Sequence, residues 1–184
     1  FMPEAEYQEQ QIKVLNEMHR ILKPNGSVFY NHKVRVAQHK ASHPIEWILK
    51  SNFTFRQQII WDRKSSPAVA PIRYMPTTEL IFWLTKTPCQ PNFERAKSPL
   101  FFGEVWQFSA KPNPLHPAPF PEELPINIMM CIKDKTEDFV VYDPYAGTGT
   151  TLKVAKSFGL KYFGSEINSN YCRLANETLN GTLF

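Results

Sequence analysis

Val140-Val141-Tyr142-Asp143-Pro144-Tyr145-Ala146-Gly147-Thr148-Gly149-Thr150-Thr151 is the stretch from which the rest of this 184-residue chain can be read. The apolar run Phe139 to Tyr142 predicts a buried strand, Gly147 and Gly149 a tight turn, and Thr150 to Phe158 a helix. Glycine in such a turn lets the backbone close around a ligand, and the N–H groups that open the helix face the same spot. A second strand, Lys161 to Ser165, ends at Glu166, 17 residues beyond Gly149. That is near the spacing at which a carboxylate reaches ribose hydroxyls in nucleotide-type βαβ sites.

Upstream of the glycine turn, Glu122 to Ile132 predicts a helix with proline and acids in its first turn. It is entered through His116-Pro117-Ala118-Pro119-Phe120-Pro121. Downstream, Asn168 to Asn180 predicts a closing helix with Asn168 as its N-cap. At the other end of the chain, Ile12, Leu15, Met18, Ile21 and Leu22 recur at helical spacing within Glu4 to Leu22. Lys23-Pro24-Asn25-Gly26 should stop that helix, with glycine as a left-handed cap, before a strand at Ser27 to Asn31.

A polar loop is expected over Lys33 to His43, then a short helix over Pro44 to Lys50. Phe53 to Trp61 and Glu79 to Thr85 read as an antiparallel strand pair at one end of the sheet. The proline-rich stretch 87–115 reads as irregular. Its interleaved aromatics and bases suit either loop packing or stacking against nucleic acid.

Composition narrows the class. Forty-two per cent apolar residues suffice for a core, and no apolar run approaches membrane-spanning length. A formal charge of +4 is compatible with a polyanionic partner without requiring one. Cys89, Cys131 and Cys172 are too few and too scattered for a zinc or disulfide framework, so no metal is expected and a reducing cytoplasm is the natural setting.

A Gly-x-Gly turn alone is a weak signal, because many strand-to-helix turns use glycine for packing. A nicotinamide dinucleotide site is disfavoured, since Leu152 stands where the third glycine would be and only 35 residues follow Gly149. The glycine turn, Glu166 and the His-Pro-x-x-Phe-Pro-x-x-Leu element roughly 25 residues before the turn together resemble the S-adenosylmethionine-dependent DNA amino-methyltransferases. These methylate N6 of adenine or N4 of cytosine. The motif order resembles the permuted class, in which the catalytic half comes first.

The resemblance implies a Rossmann-like α/β sheet, mostly parallel with an antiparallel hairpin and lacking its first strands in this chain. It divides the chain into part of the catalytic half (1–86), a possible target-recognition region (87–115) and a cofactor-binding half (116–184). Carried over by position, Asp143, Pro144, Tyr145, Gly147, Thr148, Gly149, Thr150 and Thr151 would line an S-adenosylmethionine pocket. Tyr145 stands where the family usually has Phe. Glu166 would hold the ribose, and His116, Pro117 and Phe120 would wall the methionine side.

The family aligns its target amine with an Asp/Asn/Ser-Pro-Pro-aromatic tetrapeptide, and this sequence contains no Pro-Pro pair. The catalytic residues are therefore expected upstream of Phe1, and a catalytically incomplete subunit that binds nucleic acid or a partner is the competing expectation. Double-stranded DNA is the implied partner, with a homodimer or companion restriction subunit possible. The implied setting is the cytoplasm of a bacterium or archaeon, or a phage-encoded role. Lys33, Arg35, His39, Lys40, Arg63, Lys64 and Arg73, on loops beyond strand ends, are the candidate phosphate contacts.

Overall fold

The computed structural model describes residues 2–37, 40–64, 74–87, 103–109, 121–132 and 139–180. They form two compact units, and the first of these contains a mixed sheet. Its helix α1 (Glu4–Ile21) follows the apolar spacing of the sequence and buries Leu15 completely. Strand β1 (Ser27–His32), a β2–β3 hairpin (Arg35–Ala37, Lys40–Ser42) and the short helix α2 (Ile45–Ile48) come next. Strands β4 (Thr54–Asp62), β5 (Thr78–Thr85) and β6 (Val105–Gln107) complete the unit.

The four-stranded order is β1-β5-β4-β6. Strand β5 runs antiparallel to both β1 and β4, while β6 runs parallel to β4. Three strands therefore share one direction and β5 alone is reversed between them. The Val28, Tyr30 and His32 face of β1 lies opposite Leu84, Phe82 and Leu80 of β5. This face packs with Leu15 of α1 and with Trp47 and Ile48 of α2 to make the core. Strand β5 buries both of its faces, as an apolar run of this kind does at the centre of a sheet.

Three local expectations are corrected. The chain leaves α1 by turning extended at Leu22, and Gly26 has no positive φ. Glycine is needed there for room, because a Cβ at Gly26 would lie 2.6 Å from Leu22 Cδ1. The stretch read as a polar loop contains the β2–β3 hairpin, whose three-residue strands are too short to give a periodic signal. Strand β6 lies in the stretch read as irregular and extends the sheet beyond β4, so the expected antiparallel pair forms but is not terminal. Trp106 of β6 is buried, which makes it packing rather than a stacking platform.

The second unit holds α3 (Glu123–Ile132), β7 (Val140–Asp143), α4 (Thr150–Ser157), β8 (Lys161–Gly164) and α5 (Ser169–Asn180). Strands β7 and β8 pair in parallel, Val140 opposite Lys161 through to Asp143 opposite Gly164. The crossover between them is α4. Met129 of α3 packs with Val154 and Ala155 of α4, and Val141 and Tyr162 of the strands lie against this cluster. Among the described residues no helix is long and apolar enough to cross a membrane.

Candidate functional site

The glycine turn leaves the carboxyl end of β7 and is tied to the end of β8 at several points. Asp143 Oδ1 accepts the Tyr145 N–H at 3.0 Å, an Asx-type turn that starts the loop. The Ser165 N–H donates to the Asp143 carbonyl, and the Ala146 N–H donates to the Ser165 carbonyl, each at 2.9 Å. Gly147 and Gly149 both take positive φ, 55° and 87°, where a side chain would be strained. Gly149 has a second reason to lack one: a Cβ there would sit 3.1 Å from Ala175 Cβ of α5. The glycine is therefore also a packing contact beneath the start of α4.

Glu166 lies just beyond the end of β8. Its Oε2 accepts the Gly147 N–H at 2.9 Å and its Oε1 accepts the Asn168 N–H at 2.8 Å. One carboxylate thus clamps the glycine turn and the entry to α5 together. Asn168 in turn caps α5, its Oδ1 accepting the Asn170 N–H at 2.9 Å.

Helix α4 has no side-chain cap, and its first internal bond runs from the Lys153 N–H to the Gly149 carbonyl at 2.8 Å. The amides of Thr150, Thr151 and Leu152 precede that bond and point out of the helix start. Thr148, Thr150 and Thr151 are half-buried at the same place, Pro144 is half-buried in the turn, and the Tyr145 ring is exposed at its edge. The arrangement brings together N–H donors, hydroxyls, one carboxylate and an aromatic face, which suits a ligand carrying both a carboxylate and vicinal hydroxyls. His116, Pro117 and Phe120 lie outside the described residues.

The cations expected to meet phosphate are placed differently from one another. Lys33 and Arg63 both pair with Glu79, at 3.0 and 2.6 Å. Arg35 donates from Nε to Glu4 at 3.0 Å and lies 3.6 Å above the Tyr7 ring. Lys40 is exposed on β3, and exposed Lys64 holds a left-handed φ of 63° while its N–H donates to Asp62 Oδ1. His39 and Arg73 lie outside the described residues. Sequence reasoning missed the acids that organise these cations, Glu4 and Glu79. A signal for Glu79 was available in hindsight, because it is the one acid within the apolar run Thr78 to Thr85. Among the described residues no cluster of three His, Cys, Asp or Glu could hold a metal.

The comparisons with known proteins define the class first. Residues 2–177 match the DNA methylase family, and the chain belongs to it. Among individual relatives, the type II methyltransferase M.BglII of Bacillus subtilis is 28% identical over 97% of this chain and 58% of its own length. The DNA adenine methyltransferase YhdJ of Escherichia coli (strain K12) is 27% identical over 88% of this chain and 63% of its own. The chain thus spans about three-fifths of the length of these two relatives. The crystal structure of the M1.HpyAVI–SAM complex superposes with a TM-score of 0.77 at 20% identity. It covers 97% of this chain and 85% of that one. The Rossmann-like methyltransferase fold follows from that superposition.

Proposed function

We propose that this chain is the cofactor-binding part of an S-adenosylmethionine-dependent DNA amino-methyltransferase. Its target would be N6 of adenine or N4 of cytosine in a base turned out of the duplex. The observation that carries the reading is Glu166, which closes the Gly147 turn with one lone pair on each oxygen. A carboxylate has about four accepting positions, so two remain for a pair of ribose hydroxyls.

The rest of the site fits the same cofactor. The amides at the start of α4 and the hydroxyls of Thr148, Thr150 and Thr151 are suited to hold its amino-acid carboxylate. Asp143 and Pro144 set the course of the turn, and Tyr145 offers an aromatic edge to the adenine. His116, Pro117 and Phe120 are assigned to the methionine side by their place in the sequence. When bound, S-adenosylmethionine supplies a methyl group on a sulfonium, open to direct attack by an amine without a covalent enzyme intermediate. The protein residues bind and orient, so most of the rate gain comes from alignment. The Pro-Pro tetrapeptide that would align the amine does not occur within residues 1–184.

Double-stranded DNA is the proposed partner and the bacterial cytoplasm the proposed setting. Assembly as a homodimer or with a restriction subunit is checked by light scattering. The decisive experiment incubates the full-length protein with methyl-labelled S-adenosylmethionine and unmethylated DNA, then separates the digested nucleosides. N6-methyladenine or N4-methylcytosine should appear, and at limiting cofactor its yield should fall steeply with Glu166→Ala. No methylated nucleoside from the full-length protein would refute the enzyme reading and favour a binding subunit.

A further inference from the structure

A second constellation lies in the first unit, at the carboxyl end of β1, and the cofactor turn makes no use of it. Four rings meet there: Tyr7 of α1, Tyr30 and His32 of β1, and Trp47 of α2. The His32 ring stacks on Tyr30 at 5.5 Å, takes the Trp47 ring edge-on at 5.1 Å and lies 5.9 Å from Tyr7. Packing alone would explain rings in a core. It does not explain why both imidazole nitrogens are bonded. His32 Nδ1 lies 2.6 Å from the Lys33 carbonyl oxygen, and Nε2 lies 2.6 Å from the Tyr7 hydroxyl.

A carbonyl can only accept, so the proton must sit on Nδ1. Nε2 is then the acceptor and the Tyr7 hydroxyl donates to it. The carbonyl specifies one tautomer of the neutral ring, and the Tyr7 hydroxyl holds its other nitrogen. The segment it holds is the one carrying Lys33 and Arg35. The first turns of α1 grip the same segment again: Glu4 takes Arg35 Nε at 3.0 Å and the Tyr7 ring lies under its guanidinium. On the far side Lys33 reaches Glu79 at 3.0 Å, with 59% of its side chain still exposed. Three cations, Lys33, Arg35 and Arg63, face two carboxylates, Glu4 and Glu79, which leaves one positive charge on a fixed frame.

We propose that His32 is a positioning residue that sets the Lys33–Arg35 segment in the conformation that meets the DNA backbone, with Tyr7 holding the ring by its other nitrogen. This rests on the DNA-methylase reading given above. A flexible lysine or arginine must be ordered on binding, and each long side chain so ordered weakens affinity through lost rotamer freedom. A segment fixed beforehand avoids part of that loss. The acids, on this view, aim the cations rather than merely cancelling them.

The test measures binding of the full-length protein to a random-sequence duplex as a function of salt. Each phosphate contact steepens the plot of log K against log salt by roughly 0.9. His32→Ala should make the slope shallower by roughly one to two units, as contacts by Lys33 and Arg35 are lost. His32→Asn keeps a donor near the Nδ1 position and should restore most of the slope. Tyr7→Phe removes one hydroxyl and keeps the ring under Arg35, so its slope should fall between wild type and His32→Ala. Nitrogen NMR of the His32 ring should show the Nδ1-protonated tautomer in wild type and in Tyr7→Phe, whereas the Nε2-protonated form would mean that the bond to the Lys33 carbonyl is absent and would overturn the proposal.

A wild-type slope of several units that both His32→Ala and Tyr7→Phe leave unchanged, while melting temperature drops, would mean packing only and overturn the proposal. If His32→Ala fails to fold, Tyr7→Phe and the NMR signature decide the question alone. No salt-dependent duplex binding by wild type would overturn the DNA reading itself, a result distinct from the first.

Discussion

Glu166 and Glu79 are both partly buried acids, and each anchors a turn that follows a strand, but they hold different things. Glu166 accepts two backbone N–H groups, from Gly147 and Asn168. Glu79 accepts side chains: the Arg63 guanidinium, the Lys33 ammonium and, at 3.2 Å, the Asn31 amide. Backbone partners come from any sequence that folds into the same strand–turn–helix path. Side-chain partners must be the right residues at the right register. Spacing along the chain can therefore single out the first acid, while the partners of the second depend on register.

The largest effect should come from breaking the side-chain set. Arg63 and Glu79 each keep only 13% of their side chains exposed. Glu79→Ala leaves a nearly buried guanidinium without its carboxylate, which costs about 2–3 kcal/mol. At about 2–4 °C per kcal/mol for a chain of this size, melting should fall by about 5–10 °C. A shift under 2 °C would show that water, not Glu79, compensates Arg63.

Glu166→Ala should act on binding more than on folding, because its backbone partners can turn to water. Losing a charged acceptor is expected to weaken S-adenosylmethionine about thirtyfold, the equivalent of about 2 kcal/mol. Titration calorimetry reads this directly. Unchanged affinity would remove Glu166 from the ligand and leave it as a clamp on the turn. Gly149→Ala comes next. It forces a side chain into a φ of 87° and against Ala175, at a cost of about 1–2 kcal/mol in stability. Gly159→Ala is the control: its φ of 68° is strained too, but a Cβ there meets nothing within 4 Å, so its penalty should be smaller.

How much could be read before the fold was known follows the same division. Elements whose signal is local fell within a residue or two of expectation: α1, α3, α4 and α5 from their helical spacing and caps, β7 and β8 from short apolar runs around glycines. Glu166 stood out by its spacing from the glycine turn, whereas its clamp on the Gly147 and Asn168 amides came only with the fold. The β2–β3 hairpin, strand β6 and the Glu79 cluster were not, because cross-strand neighbours are fixed by register and not by distance along the chain. Lys33 and Arg63 were read as exposed bases on separate loops, yet the pairing of β5 with both β1 and β4 puts them on one carboxylate. The His32 bracket escaped notice in the same way, since Tyr7 lies 25 residues from it along the chain.

The smallest expected effect sharpens the contrast between a backbone clamp and a side-chain frame. Burial holds His32 below its ordinary value of 6.5, with Arg35 adding repulsion, while the Lys33 carbonyl, Glu4 and Glu79 favour the charged form. The Tyr7 hydroxyl of α1 also faces it, at Nε2. A histidine whose folded pKa is lowered binds its proton more readily when unfolded. Its stabilising share is therefore complete above pH 6.5 and is lost as pH falls below that toward the folded value. His19 is lowered as well, chiefly by burial, and drifts in the same direction. The useful quantity is thus the difference between wild type and His32→Asn in melting temperature across pH 7 to 5. Wild type should lose more than the variant over that range. Parallel curves would mean that His32 takes up its proton equally in the folded and unfolded states, so that burial does not hold its pKa down.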